Sequence, residues 1–188
     1  MSAHGPSRAT GRREFLALGV GAFVVASVPF ARRRGPAVTR RTLPVMGTIA
    51  DLAVVHRDVR HAEGAIDAAF AELRHVEATM SRFLPVSEVG TVNRLAAGVP
   101  VTVSAPTRDV IAAALAWAHA SHGAFDPAIG RVVELWDVTH RQSPPEGGRV
   151  TRFAGRQLHR HVQLATEKGA PAVYLADPDI HLDLGGIA

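Results

Sequence analysis

The sequence predicts an α+β domain in which short antiparallel strands pack against amphipathic helices. Three observations indicate this class. One strand-like run is followed by a long stretch of helical periodicity, a second helical stretch leads into a glycine-rich turn, and three short strand-like runs follow near the end. Because those last runs succeed one another without long helices between them, a meander is favoured over alternating β-α-β units.

Composition excludes several function classes. The chain has 188 residues, 47% of them hydrophobic, and no cysteine. Disulfides, thiolate catalysis and thiolate zinc sites are therefore absent. The net charge of +4 arises in residues 1–40, which carry seven arginines and one glutamate, whereas the remainder is slightly acidic. The folded part has no polycationic signature, so a nucleic-acid partner is not expected.

The N-terminus has the pattern of an export signal. Arg12 and Arg13 precede the uncharged apolar run Ala17–Phe30, and Arg32–Arg34 follow it. This run is short for a membrane span, so we predict a twin-arginine signal peptide over residues 1–31. The alternative is an uncleaved N-terminal anchor. Both place the domain outside the cytoplasm, at the outer face of the cytoplasmic membrane or in the periplasm.

The first elements follow from local patterns. Residues 32–42 are basic and contain a proline, which predicts a linker before a domain at residues 43–188. Thr48–Val55 is a strand candidate entered through Met46 and Gly47. Apolar residues recur at spacings of three and four over Arg57–Met80, which predicts an amphipathic helix.

A loop is predicted next. Pro85 and Gly90 interrupt regular structure, and so Phe83 is expected in a loop rather than on an apolar helix face. An aromatic residue in a loop either packs locally or offers a platform for a planar ligand. Val99–Val103 is predicted as a short edge strand.

The second half begins with another helix. It starts near Ser104 or Thr107 and is closed by Gly123. Four further elements are predicted: a helix at Val150–Arg160, and strands at His161–Leu164, Ala172–Leu175 and Ile180–Leu184.

The central turn, Gly123–Gly130, is the most distinctive stretch. A glycine, a small residue, an aromatic residue and a carboxylate fixed by a following proline predict a rigid turn that leads into a helix. Asp126 can cap that helix or accept hydrogen bonds from a ligand, and the pattern leaves both roles open.

The last run, Leu182–Ala188, ends in an apolar strand pattern and a Gly185-Gly186 pair. Paired glycines permit close approach of the backbone to a phosphate or a metal, and a helix normally follows. We therefore expect this chain to be the N-terminal part of a longer protein, with Ile180–Leu184 lacking packing partners.

Common catalytic motifs are missing from the sequence. The pairs His119/His122 and His159/His161 come without a third ligand, and no Walker A, G-x-G-x-x-G or G-x-S-x-G motif is present. The residue patterns alone therefore identify no catalytic residue.

Four stretches together resemble the FAD:protein FMN transferases of the ApbE family. In order along the chain, they are Met46-Gly47-Thr48, Ser81-Arg82-Phe83 with Ser87-Glu88-Val89, Gly123–Gly130 with Leu135-Trp136, and Leu182–Ala188. The resemblance extends from about Arg41 to Ala188. It implies an enzyme that cleaves FAD with Mg²⁺, attaches FMN to a Thr or Ser hydroxyl of a flavin-acceptor protein, and releases AMP.

The resemblance also implies a site. The residues that would contact FAD are Met46, Phe83 (where the family more often has Tyr), Ala124, Phe125, Asp126 and Asp183, and the carbonyl of Gly186 would bind Mg²⁺. The family's remaining functional residues follow Ala188 and are missing here. Two alternatives to the transferase are kept: an FAD pyrophosphatase, and a short non-catalytic protein that binds flavin or a protein partner.

Overall fold

The computed structural model describes residues 36–188. The predicted signal peptide and residues 32–35 of the predicted linker lie outside these residues. The strands are β1 (Ala37–Val45), β2 (Thr48–His56), β3 (Val101–Thr102), β4 (Val162–Glu167) and β5 (Ala170–Leu175). The helices are α1 (Val59–Met80), α2 (Glu88–Leu95), α3 (Ala105–Ala120), α4 (Gly130–Trp136), α5 (Gly147–Thr151) and a 3₁₀ helix at Leu158–His161.

A two-stranded hairpin opens the described part of the chain. β1 and β2 pair antiparallel from Ala37 opposite His56 to Val45 opposite Thr48. The prediction of a linker over residues 32–42 is therefore wrong from Ala37 onward, because the chain there pairs with β2 and its side chains alternate between exposed and half-buried positions. The predicted strand Thr48–Val55 is confirmed as β2.

The predicted helix at Arg57–Met80 is confirmed as α1. Asp58 caps its N-terminus by accepting from the backbone N–H of Arg60. Ala62, Ile66 and Phe70, four residues apart, are buried on one face. Within residues 36–188, no helix combines the length and apolar character needed to cross a membrane.

Gly90 does not interrupt regular structure. It lies inside α2, where a Cβ atom would be 2.1 Å from the carbonyl oxygen of Leu84. The glycine is thus required for close approach of the helix to the preceding loop, and the prediction of a break was wrong. The loop position of Phe83 is confirmed.

The second sheet contains three strands in the order β3-β5-β4, all antiparallel. β3 is an edge strand, as predicted. β4 and β5 are joined by a two-residue turn, Lys168-Gly169, with φ of 52° and 83°. α2, α3 and the sheet enclose the main core, whose largest buried side chains include Ile111, Leu175, Ile180, Leu182 and Leu184. This mixture of helices and short antiparallel strands confirms the α+β prediction.

Two predicted elements are corrected. Val150–Arg160 is not one helix, because Gly155 adopts φ +71° and separates α5 from the 3₁₀ helix. Ile180–Leu184 is not a strand and makes one isolated parallel bridge, between His181 and Ile129. Its expected lack of packing partners is also wrong, since its apolar side chains are buried in the core.

Candidate functional site

Asp126 is buried in the central turn, and both of its carboxylate oxygens accept hydrogen bonds from within the chain. Gly123 ends the preceding helix with φ +85°, which turns the backbone toward the 3₁₀ helix. Asp126 Oδ1 accepts from the backbone N–H of Ala128 at 2.9 Å, and Oδ2 accepts from that of His159 at 3.0 Å. The ring Nδ1 of His159 lies 3.0 Å from the same Oδ2 and donates to it, since a carboxylate oxygen only accepts. The predicted capping of the following helix is therefore wrong, because the N-cap residue of α4 is Ile129 and no side chain caps that helix. The Asp126 carboxylate instead holds the turn itself and joins it to His159.

Two backbone hydrogen bonds join the central turn to the last segment, residues 180–186. Gly130 donates to the His181 carbonyl at 2.8 Å, and Asp183 donates to the Pro127 carbonyl at 2.8 Å. A Cβ atom on Gly130 would lie 2.7 Å from the His181 oxygen, so only glycine permits this approach. The second glycine of the central turn is thus explained by contact with the last segment.

Sequence reasoning missed two residues that stabilise this arrangement, His159 and Asn93. The Asn93 side chain donates to the Leu182 carbonyl at 2.9 Å and accepts from the Leu182 N–H at 2.7 Å. His159 is 33 residues from Asp126, and Asn93 is 89 residues from Leu182. No local pattern reports contacts between residues so far apart in the sequence.

Three of the predicted FAD-contacting residues line one cavity of about 420 Å³, here called the hairpin pocket. Met46 reaches it from the β1–β2 turn, Phe83 from the loop after α1, and Asp183 from the last segment. Met46 has φ of 54°, a backbone conformation that rarely accommodates residues other than glycine and is often found at functional sites. Phe83 is 74% exposed, so the alternative of local packing is wrong.

A second, smaller cavity of about 280 Å³ adjoins the last segment and is here called the aromatic pocket. Trp117, Phe125, Gly186 and Ile187 line it. The edge of the Phe125 ring is 3.3 Å from where a Gly186 Cβ would be. Gly185 lines the hairpin pocket and Gly186 the aromatic pocket, so this glycine pair separates the two cavities.

The predicted site residues are therefore only partly brought together. Ala124 is exposed and lines neither of these pockets. Asp126 faces a third cavity of about 540 Å³, whose wall includes Trp136 and Phe153. That cavity is the largest of the three, but it contains only this one predicted side chain and is mostly apolar.

A network of charged side chains begins in the wall of the hairpin pocket, which Arg82 and Asp183 both line. Arg82 Nε is 2.9 Å from Asp183 Oδ2, and Arg82 Nη1 is 4.0 Å from Glu134 Oε1. Glu134 also accepts from His181 at 2.9 Å and from Arg131 at 3.1 Å. Burial alone would raise the pKa of Glu134, but the hydrogen bonds from His181 and Arg131 outweigh it, and the net pKa is lowered from its ordinary value of 4.5.

The described residues do not by themselves fit a magnesium site. Mg²⁺ prefers several oxygen ligands, usually with at least one carboxylate. Gly186 offers a single carbonyl, and the nearby Asp183 carboxylate is paired with Arg82. Over residues 36–188, no three His, Asp or Glu side chains are grouped closely enough to bind a metal ion.

The sequence of this chain is similar to that of one protein family over most of its length. A model of the ApbE family matches residues 46–188. The FAD:protein FMN transferase of Treponema pallidum (strain Nichols) is 32% identical over 151 residues, which cover 77% of this chain and 41% of that protein. The corresponding protein of Klebsiella pneumoniae (strain 342) is 31% identical over 129 residues, covering 68% and 40%. The chain thus spans about two fifths of the length of these relatives.

Solved structures agree on the fold. The ApbE protein of Thermotoga maritima has a TM-score of 0.69 at 22% identity, covering 80% of this chain and 48% of that one. The flavin transferase ApbE of Vibrio cholerae has a TM-score of 0.64 at 22% identity, covering 79% and 48%. At this level of identity, the structural likeness supports the architecture alone.

Proposed function

This chain belongs to the ApbE family, and on that premise we propose that the complete protein is an FAD:protein FMN transferase. The observation that carries the proposal is the hairpin pocket, where Met46, Phe83 and Asp183 meet from three separate segments. The surface of this cavity is mostly apolar and includes one exposed aromatic ring, which suits a flavin, and its polar side chains are Glu77, Ser81, Arg82 and Asp183. The names of the matching relatives support the same activity.

The chemistry that we propose is a phosphoryl transfer. A Thr or Ser hydroxyl of the acceptor protein forms a new P–O bond to the FMN phosphorus of FAD, the hydroxyl loses its proton, and the bond to AMP breaks. The residues described here contribute binding and positioning. Apolar walls exclude water from the flavin, and the Gly185-Gly186 turn allows a diphosphate to approach the backbone closely.

The reaction that we propose also involves a metal ion. We propose that the reaction requires Mg²⁺ because the family resemblance implies it. Within residues 36–188 the resemblance offers only the Gly186 carbonyl as a ligand, and we propose that the other ligands come from the part of the family's length that this chain does not span.

The decisive test uses the complete protein, FAD, Mg²⁺ and a flavin-acceptor protein. We expect covalent flavin fluorescence on the acceptor in a denaturing gel and no fluorescent band when the acceptor hydroxyl residue is replaced by Ala. AMP release without a fluorescent acceptor would instead identify an FAD pyrophosphatase. Flavin binding with neither product would support the non-catalytic alternative.

The 188-residue chain alone is expected to give no fluorescent acceptor. Phosphoryl transfer depends on groups that stabilise the developing charge, and residues 36–188 supply no clustered carboxylates for a metal. A band formed at the rate of the complete protein would show that this part builds the whole site by itself.

We also propose that the protein is exported by the twin-arginine route. The proposal rests on Arg12 and Arg13 and the apolar run after them. Replacing both arginines with Lys should block export of a reporter fused after Ala37. Unchanged export would indicate a different signal or a retained anchor.

A further inference from the structure

We propose that Arg82 is a positioning residue for the hairpin pocket, fixing Asp183 and Phe83, two side chains predicted to contact FAD. This inference rests on the proposed function, which supplies the ligand. Nothing in the resemblance assigned a role to Arg82. The assignment comes from its contacts, which join the loop after α1 to the last segment.

The first contact is a partly buried ion pair. Arg82 Nε lies 2.9 Å from Asp183 Oδ2, and the two side chains are only 12% and 22% exposed. At such exposure, a charge-assisted hydrogen bond is stronger than a surface pair. Asp183 Oδ1 accepts from the Gly185 N–H at 3.0 Å. Both carboxylate oxygens are therefore fixed, one by the guanidinium and one by the glycine turn.

This pairing also changes the charge that a ligand meets. FAD carries negative charge on its diphosphate, and an unpaired carboxylate beside the Gly185-Gly186 turn would repel it. Arg82 compensates the charge of Asp183 while leaving free lone pairs on its oxygens. Asp183 can then accept hydrogen bonds from a flavin or ribityl group without opposing the diphosphate.

The second contact is stacking on Phe83. The Arg82 guanidinium carbon lies 4.0 Å from the centre of the Phe83 ring. A cation at this distance covers one face of the ring and favours a fixed orientation. Because the ring is 74% exposed, a large part of its surface stays accessible to a planar ligand. Without Arg82, few other contacts would fix the ring before the ligand binds.

Arg131 provides a matched control. It belongs to the same charged network through its hydrogen bond to Glu134 at 3.1 Å, but it does not line the hairpin pocket. Replacing Arg131 removes a cation from the same network at a more exposed position. Comparing the Arg82 and Arg131 variants therefore distinguishes a general effect of removing a positive charge from a loss of positioning of Asp183 and Phe83.

The experiment compares Arg82→Gln, Arg82→Lys and Arg131→Gln in the complete protein. Flavin fluorescence titration gives the Kd for FAD, and amide hydrogen exchange at Gly185 reports, without flavin, whether Asp183 still accepts from that N–H. We expect Arg82→Gln to weaken FAD binding about tenfold, with faster exchange at Gly185. Arg131→Gln should change neither by more than about twofold. The Kd for FAD of Arg82→Lys should lie between those of the wild type and Arg82→Gln. The Lys ammonium can pair with Asp183 but lacks the planar fork of the guanidinium.

A double variant tests the coupling directly. If Arg82 acts through Asp183, the losses of Arg82→Gln and Asp183→Asn are not additive. Additive losses, or wild-type FAD affinity and Gly185 exchange in Arg82→Gln, would overturn the positioning role and leave the proposed function standing. No FAD binding by the wild-type protein would overturn the proposed function, and with it the flavin role of Arg82, even if exchange at Gly185 changed.

Discussion

The central turn and the loop at residues 81–87 both carry residues predicted to contact FAD, yet they are built in opposite ways. In the central turn, Asp126 is 8% exposed and both of its oxygens accept bonds from within the chain. In the loop, Phe83 is 74% exposed and Val86 is 90% exposed. In the central turn, the carboxylate is hydrogen-bonded within the fold, whereas the loop leaves apolar surface available to a ligand.

Because of this contrast, substitutions in the two regions should affect different quantities, the free energy of unfolding in one and ligand affinity in the other. Substitutions in the central turn should lower the free energy of unfolding, because they break contacts made in the folded chain. Substitution of the exposed Phe83 in the loop should change ligand affinity with little effect on folding. Three predictions test the distinction, and a fourth concerns the charged network beside the hairpin pocket; they run from the largest expected effect to the smallest.

Gly130→Ala should be the most destabilising change. The new Cβ would lie 2.7 Å from the His181 carbonyl oxygen and 3.0 Å from that of Leu182, both backbone atoms. We expect the free energy of unfolding to fall by about 3 kcal/mol, measured by urea denaturation. The control is Gly148→Ala in α5, where the added Cβ meets no atom within 4 Å and should be neutral or slightly stabilising. Equal stability of the two variants would contradict the close approach of turn and last segment.

Asp126→Asn should lower the free energy of unfolding by about 2 kcal/mol, because an amide cannot accept all the bonds from Ala128 and His159. Asp109→Asn, at an exposed pair with Arg108, serves as the control and should change stability little. The FAD affinity of the folded variant then tests the sequence-based prediction of direct contact. A decrease of about 1–3 kcal/mol in binding would confirm it, and unchanged affinity would assign Asp126 to the turn alone.

Phe83→Ala should show the opposite behaviour. Its ring makes few contacts in the folded chain, so the free energy of unfolding should change by less than about 0.5 kcal/mol. FAD affinity should fall about tenfold through loss of stacking. Val86→Ala, in the same loop but outside the hairpin pocket, should leave both unchanged. A stability loss typical of a core residue would contradict the open character of the loop.

The pH dependence of stability should depend in part on Glu134. Because its folded pKa is lowered from 4.5, the ionised form stabilises the protein above that pH, and the contribution is lost as pH falls through the folded pKa. Glu134→Gln should therefore flatten the stability curve below about pH 4.5, with an effect under about 1 kcal/mol because the side chain is partly exposed. A curve that stays as steep as in the wild type would assign the acid sensitivity to other carboxylates.

Local patterns were sufficient for much of the architecture. The periodicity of residues 57–80 predicted α1, and the strand-like runs His161–Leu164 and Ala172–Leu175 predicted parts of β4 and β5. Errors arose where a contact between separate segments decided the local structure. Gly90 signalled a break but allows α2 to approach the loop, and residues 37–42 appeared as a linker because the pairing with β2 is not visible in a basic stretch.

The sequence by itself determined the fold class, the rigid central turn and the family resemblance that selected the candidate site. Only the tertiary structure decided which of those residues meet. Met46, Phe83 and Asp183 share a pocket, whereas Asp126 is bound by His159, 33 residues away. The physical reason is range: helical periods and turn preferences act over a few residues, while the partner of a buried carboxylate is fixed by the packing of distant segments.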